Sequence, residues 1–316
     1  MTSRESLPVV HPAELDDSDC ARRWLIEPLW AASGVGILGG APKCGKSWLA
    51  LDMALSVATD TPCLDTFAVR EPGSVLLYMA EDSPAHVKAR LLGLCAHRGL
   101  EPQTTALHLI TAATLRLDLQ RDQDRLRETV ATLRPRLLVL DPFVRLHRID
   151  ENNAGEVSQL LAFLRALQRE FDLAVCVVHH ARKNGGGSAG VALRGSGDFY
   201  AWVDSGLYLR RRRGALILTA EHRSAPALDP LELDLITSET ATHLAIKASA
   251  SEPEPSPELK DRILATLTDR AMTRTELRQT LRVRNQRIGS ALEQLLTASR
   301  VVRDGNRWAI PVPTPT

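Results

Sequence analysis

A chain of 316 residues is long enough for one large α/β domain and a small second one. Its 44% hydrophobic and 24% charged residues are ordinary for a soluble globular protein, and no run of 18 apolar residues could span a bilayer. The net charge of +1 gives no global attraction to nucleic acid, but residues 257–311 hold 11 Lys/Arg against 6 Asp/Glu and leave about −4 on the rest, so any polyanion is to be sought at the C-terminal end.

The opening residues, MTSRESLPVVHPAELDDSD, are polar and acidic with no apolar core, unlike a signal peptide. Residues 1–30 read as an N-terminal arm. Within them Arg22–Trp30 mixes aromatic and aliphatic residues and is expected beside the first strand, as a capping helix or as a subunit contact. Cys20, Cys44, Cys63, Cys95 and Cys176 are scattered with no C-x-x-C pair, against a zinc site and against a disulfide framework. They fit a reducing cytoplasm.

Gly34–Asp52 (GVGILGGAPKCGKSWLALD) organises the chain. A short apolar run meets glycines and is followed by an amphipathic helix pattern, and between them lies G-x-x-x-x-G-K-S. That is a phosphate-binding loop in its required strand-to-helix context. Gly40 and Gly45 let the backbone curl so that N–H groups point inward at phosphate oxygens. The positive end of the following helix faces the same phosphates. Lys46 reaches the β- and γ-phosphates, and Ser47 offers a hydroxyl to Mg²⁺. The predicted ATP-binding residues are Gly40, Ala41, Pro42, Lys43, Cys44, Gly45, Lys46, Ser47 and Trp48, with Mg²⁺ on Ser47.

Ser74–Ala80 is apolar throughout, as a strand buried on both faces should be, and ends in Glu81-Asp82. Ser83-Pro84 then opens a helix as N-cap and first residue, and Gly99 closes it. Leu107–Ile110 reads as a strand and Asp124–Leu133 as a helix. Arg136–Asp141 (RLLVLD) has the pattern of a Walker B strand, whose carboxylate would sit beside the phosphate loop on the Mg²⁺ side, so Asp141 joins Ser47 as a predicted metal ligand. Pro142–Asn153 is a loop carrying Arg145, His147 and Arg148. Ala154–Phe171 is a helix, and Leu173–Val178 is another buried strand, ending in His179-His180.

Ala181–Gly197 is dense in glycine, the composition of a loop that a ligand orders. Four later strand patterns have hairpin-like spacing. Arg210–Arg213 before Gly214 is a solvated hairpin turn by preference over a DNA contact. Residues 31–247 thus form one α/β domain. Residues 248–257 (ASASEPEPSP) are a linker by composition. In 258–316 three helix patterns precede a hairpin around Asp304-Gly305, and Thr273-x-x-Glu276 is a capping box. Helix–helix–helix–hairpin in this length predicts a winged helix-turn-helix.

With these residues assembled, the chain resembles the RecA-like superfamily, most closely the hexameric-helicase branch typified by plasmid RepA helicases and more distantly DnaB. GGAPKCGKS, the MAED after the second strand, LLVLDP, and VVHH followed by a Gly-rich loop and LRGSG carry the resemblance, over roughly residues 22–247. It implies an α/β, RecA-like P-loop core with a mainly parallel twisted sheet flanked by helices. It also implies catalytic roles. Glu81 matches the carboxylate that polarises the attacking water, and Asp141 is followed by Pro142 rather than by an acid. His179 and His180 match the γ-phosphate sensor, with His180 the better match. Ala181–Leu193 matches the loop lining a central DNA channel, with Arg182 and Lys183 as phosphate contacts or as part of a plain crossover. Relatives place K-x-R on a late strand as the trans-acting arginine. Here the stretch is Glu221-His222-Arg223, so Arg223 and Arg194 are both candidates.

The function these features imply is an ATP-hydrolysing motor on DNA. It would be a RepA-like replicative helicase-type ATPase of a mobile element or phage, assembled as a homo-oligomeric ring, a hexamer, with single-stranded DNA in its channel. The alternatives are an ATP-gated winged-helix regulator and a RadA-like recombination mediator. At the winged helix, Arg284, Asn285, Gln286 and Arg287 lie near the outward N-terminal end of the third helix, where such domains enter the major groove of duplex DNA, unless the domain docks a protein instead.

Overall fold

Trp24–Ile26 (β1) and Trp30–Ala31 (β2) pair as a short antiparallel ribbon in this computed structural model. The structure describes residues 9–11, 14, 24–151, 153–180, 198–212, 214–238, 241–247, 257–281, 285–298, 300–304 and 307–311. The chain divides into two compact units, Met1–Lys247 and Ala248–Thr316. The described part of the segment Arg22–Trp30 is thus a strand ribbon and not a capping helix, and it belongs to the core. Leu25, Ile26, Leu29 and Trp30 are fully buried there.

Val35–Gly40 (β3), Val75–Met79 (β4) and Leu137–Asp141 (β6) are buried along their whole length, and Ala174–His180 (β7) is buried except at its last residue. Side chains alternate across a strand, so continuous burial requires cover on both faces. Lys46–Thr59 (α1) and Pro84–Arg98 (α2) cover one face. Gln120–Leu133 (α3) and Ala154–Phe171 (α4) cover the other. Ser83 caps α2 by accepting from His86 N–H at 3.3 Å, and Gly99 ends it in the left-handed region at φ 63°.

Leu107–Leu109 (β5), Ser205–Arg212 (β8), Ala215–His222 (β9), Leu228–Thr237 (β10) and Thr242–Ile246 (β11) complete a nine-stranded sheet in the order β11-β10-β9-β8-β3-β7-β6-β4-β5. From β8 to β5 every pairing is parallel. From β8 to β11 every pairing is antiparallel. The hairpin spacing of the late strands is realised, but the first of them, β8, also lies parallel to β3, with Gly40 opposite Leu209. Asp198–Trp202 (α5) precedes β8. No described helix is long and apolar enough to cross a membrane.

The second unit has its own core. Pro257–Asp269 (α6), Arg274–Leu281 (α7) and Asn285–Thr297 (α8) pack Leu259, Ile263, Leu277, Ile288 and Leu292 against Trp308. Met272–Thr273 (β12), Val302–Asp304 (β13) and Arg307–Ala309 (β14) form a three-stranded sheet in the order β12-β14-β13. The capping box at α7 is reciprocal. Thr273 N–H donates to Glu276 Oε2 at 2.7 Å, and Glu276 N–H donates to Thr273 Oγ1 at 3.2 Å.

Candidate nucleotide site

The strands that carry Glu81, Asp141 and His180 end at the same edge of the parallel sheet as the phosphate loop. Gly40 lies opposite His180, Met79 lies opposite Asp141, and Glu81 follows β4 by two residues. Ligands of open α/β sheets bind at that edge. A cavity of about 370 Å³ opens there, lined from the phosphate loop by Lys43–Trp48, from the strand ends by Glu81, Asp82, Asp141 and His180, and by Arg90 and Arg211.

The loop geometry follows from its glycines. A Cβ on Gly40 would sit 2.4 Å from Leu209 O and 2.7 Å from Cys44 Sγ, too close for any side chain. Gly45 stands at φ 88°, where L-residues are strained, and caps α1. No side chain caps α1, and no acid lies in its first turn, so the N–H groups of that turn face the cavity with the dipole's positive end. Lys46 is buried and donates from Nζ to Ala41 O at 2.8 Å. Burial pulls its pKa down, against the pull of Cys44, Asp141 and Glu81.

Asp141 is 7% exposed. Burial pushes its pKa up to about 6, against a hydrogen bond from Ser47 and the charge of Lys46, while Asp82 and Glu81 push it further. Its Oδ2 is buried with no hydrogen-bond partner among the described residues. A carboxylate made costly by burial, an orphaned oxygen and an adjacent serine hydroxyl fit a divalent cation. Among the described residues no three His, Cys, Asp or Glu cluster as a cage for a metal. Mg²⁺ in phosphate sites uses one or two side chains and takes its other ligands from phosphate and water.

Glu81 is exposed at the cavity rim and ion-pairs with Arg145, Oε1 to Nε at 3.0 Å. Arg145 lies on the short 3-10 turn Phe143–Arg145 that follows β6. Strand alternation separates the two histidines. His180 lines the cavity. His179 is buried, its ring edge-on to Phe199 at 4.7 Å and stacked near Phe143 at 5.8 Å. Its Nδ1 lies 2.9 Å from His180 O, and its Nε2 lies 3.8 Å from Glu151. Burial lowers its pKa to about 4.

Arg223 is at the other end of the sheet. It follows β9, whose His222 pairs with Ser205 at the start of β8, and it ion-pairs with Asp204 at 3.4 Å while donating to Ala201 O. Roughly five strand residues, ~16 Å, separate that end from the chain's own phosphate loop. Arg182, Lys183, Arg194 and Arg284 lie outside the described residues, as do the side chains of Asn285, Gln286 and Arg287 on the first turn of α8.

Beyond the motif residues, five cavity residues had no site role in the sequence reading. Arg211 reaches the cavity because β8 is parallel to β3 and runs two residues past Leu209, so the tract read as a solvated turn contributes one side chain to the site. Arg90, Leu216, Leu235 and Leu244 come from α2, β9, β10 and β11. Tertiary packing and strand order bring these five to the site, and no local motif encodes either.

The AAA domain family matches residues 2–186. The chain belongs to that family. Its AAA domain is that of a P-loop ATPase. The fold is similar to the crystal structure of the RadB recombinase, with a TM-score of 0.51 and 20% identity, covering 69% of this chain and 93% of that one. At that identity the likeness shows the fold alone, one consistent with a RecA-like core.

Proposed function

We propose that the chain is an ATP-hydrolysing, DNA-acting motor of the RepA helicase type, of a mobile element or phage, working as a hexameric ring. The observation that carries this reading is the convergence of two carboxylates from different strands on one phosphate loop. Asp141 on β6 hydrogen-bonds Ser47, and Glu81 after β4 stands apart from that pair at the rim. That division suits one carboxylate for the cation and one for water.

In this reading Lys46 and the first N–H groups of α1 hold the phosphates, and Ser47 and Asp141 would hold Mg²⁺. The ion would neutralise charge on the phosphate oxygens. Glu81 orients and polarises the attacking water once freed from Arg145, and His180 donates to the γ-phosphate. Arg223 lies too far from its own site, so its role is in the neighbour's, with Arg194 as the other candidate. Residues 181–193 contact single-stranded DNA through Arg182 and Lys183. The second unit acts as a winged helix that contacts duplex DNA through Arg284, Asn285, Gln286 and Arg287.

A second reading, a recombination mediator, is favoured by the fold's likeness to a recombinase. ATP hydrolysis and unwinding of a forked duplex, measured with and without single-stranded DNA, test the two. The motor reading expects DNA-stimulated hydrolysis and ATP-dependent unwinding, both lost in Lys46→Ala. DNA-stimulated hydrolysis with strand pairing but no unwinding supports the mediator. Sequence-specific duplex binding with slow, DNA-independent hydrolysis would replace both with a regulator.

A further inference from the structure

Of the arginine tract at the end of β8, one member is turned toward the phosphate loop. Side chains alternate along a strand. Leu207 and Leu209 of β8 pack into the core on the side of α1 and α2, and Tyr208 packs on the side of α3 and α4. Arg211 therefore shares the face of Leu209, while Arg210 and Arg212 share the face of Tyr208. Arg211 pairs in register with Leu216 of β9, and the side chains of such a pair lie on one face. A Leu216 methyl group lies 3.7 Å from where a Cβ on Gly45 would stand, so this pair flanks the N-terminus of α1. The thiol of Cys44 reports the same nearness. Burial raises its pKa, and the charges of Lys46 and Arg211 pull it down.

The other charged groups of the cavity are matched. Asp82 accepts from Arg90 at 2.6 Å, Glu81 accepts from Arg145 at 3.0 Å, and Asp141 bonds to Ser47. Arg211 lines the same cavity and is exposed. Among the described residues it has no ion pair and no side-chain hydrogen bond. A guanidinium presents a planar fork of N–H donors that fits two phosphate oxygens at once. A ligand phosphate would supply the anion that the chain does not.

Strand order decides which phosphates. The sheet runs β8-β3-β7-β6-β4, and the phosphate loop leaves β3. His180 ends β7, Asp141 ends β6 and Glu81 follows β4, all on one side of the loop. Arg211, on β8, stands on the other side. We propose that Arg211 is a phosphate ligand supplied in cis, gripping the nucleotide on the side of the loop away from the hydrolytic groups, at the phosphates that remain in ADP. The proposal rests on the nucleotide-binding reading of the phosphate loop. A group that holds substrate and product alike contributes to affinity and leaves the rate of bond cleavage unchanged. That separates Arg211 from Arg223 and Arg194, whose proposed role is in turnover at a neighbour's site.

The test measures affinities of the full chain and its variants for ATP, ADP and inorganic tripolyphosphate, which has no base, by calorimetry with Mg²⁺, beside kcat and KM for ATP. Arg211→Ala is expected to weaken all three ligands by about 10- to 100-fold, the range of one charge-assisted hydrogen bond. KM rises with it, and kcat stays within about three-fold of wild type. Arg211→Lys keeps the charge and loses the fork, so its loss is smaller. Arg210→Ala and Arg212→Ala, on the opposite face, stay within about two-fold of wild type, because exposed charges away from the site are screened. Unchanged affinities in Arg211→Ala overturn the proposal. So does a loss of ATP and ADP with tripolyphosphate kept, which moves Arg211 to the base, and so does a fall in kcat with affinity kept. Equal losses in all three Arg→Ala variants reduce the effect to diffuse charge and overturn it too. In each of those cases the wild-type chain still binds ATP. A wild-type chain that binds neither ATP nor tripolyphosphate overturns the nucleotide reading, and the role of Arg211 with it.

Discussion

Glu81 and the two histidines show how far single residues can be assigned. Glu81→Gln is expected to keep ATP affinity and lower kcat by ~10²–10⁴, the range for losing a general base, whereas Lys46→Ala should lose nucleotide binding. Near-normal turnover in Glu81→Gln would end its assignment as the base. The ion pair with Arg145 does not strengthen that assignment, because both partners are exposed and such pairs contribute little. The histidines separate by pH. His179 is buried and held near pKa 4, below its unfolded value of about 6.5. Its neutral form is the one that fits, so its contribution is intact above pH 6.5 and is lost as pH falls toward 4. His179→Phe, with Phe143 and Phe199 as neighbours, should remove up to about 3 kcal/mol of acid lability in denaturant melts between those pH values. At pH 8 it should leave ATP turnover within about three-fold of wild type, while His180→Ala lowers it. Unchanged acid lability in His179→Phe would mean that another group titrates. That Lys46, Ser47, Glu81 and Asp141 would meet at one cavity was legible because the chemistry expected of each position allows few residue types. The resemblance already favoured His180 over His179, and alternation along β7 gives the physical reason that His180 is the one lining the cavity.

At the scale of elements, what holds the site is a buried clamp between the two helices that follow its key strands. Arg98 on α2 donates to Asp52 on α1 at 2.7 Å, and to Ser56 and Thr61 hydroxyls at 2.9 Å each. Asp52 also accepts from Leu64 N–H at 2.8 Å. Arg98 and Asp52 side chains are 5% and 3% exposed. Burial pushes the Asp52 carboxyl up, and Arg98 is the main group holding it charged. Removing one partner of such a pair leaves a buried charge, so Arg98→Ala is expected to cost about 3–5 kcal/mol in urea melts. The double change Arg98→Met with Asp52→Leu should recover much of that loss. A cost below about 1 kcal/mol for Arg98→Ala would show that water relaxes around Asp52 and that the clamp is weak. Sequence made these helices legible, α1 through the phosphate-loop motif before it and α2 through Ser83-Pro84 and Gly99 at its ends. The clamp was not legible, because its partners are 46 residues apart. The same limit hid the parallel pairing of β8 with β3, which brings Arg211 to the phosphate loop.

At the scale of the whole molecule, two activities are proposed for two units. In the first, Glu81 and Arg223 stand at opposite ends of one sheet, so the role proposed for Arg223 requires a second subunit. Mixing Arg223→Ala chains with Glu81→Gln chains should restore part of the activity each lacks alone, since an arginine supplied in trans adds ~10³–10⁵ to rate in P-loop enzymes that use one. Normal hydrolysis by Arg223→Ala with DNA present moves the test to Arg194. The second unit closes its own core around Ile263, Leu277, Leu292 and Trp308, so it should fold when made alone. Its exposed arginines include Arg262, Arg270, Arg278, Arg300 and Arg307, and the surplus of positive charge in the sequence is concentrated there. Unpaired surface cations attract any polyanion, so affinity by itself is weak evidence for a designed contact. The discriminating measurement is a salt titration of residues 258–316 against duplex DNA by fluorescence anisotropy, beside the same domain with Arg284 and Arg287 changed to Ala. A winged helix that docks in the major groove loses most of its binding in that double variant, although the other exposed arginines remain. Diffuse attraction loses only two charges' worth, and its slope against salt falls by roughly two. In the full chain the same double variant should keep its ATPase largely intact. No binding by the wild-type domain at low salt, where cationic contacts are strongest, leaves a module that docks a protein partner.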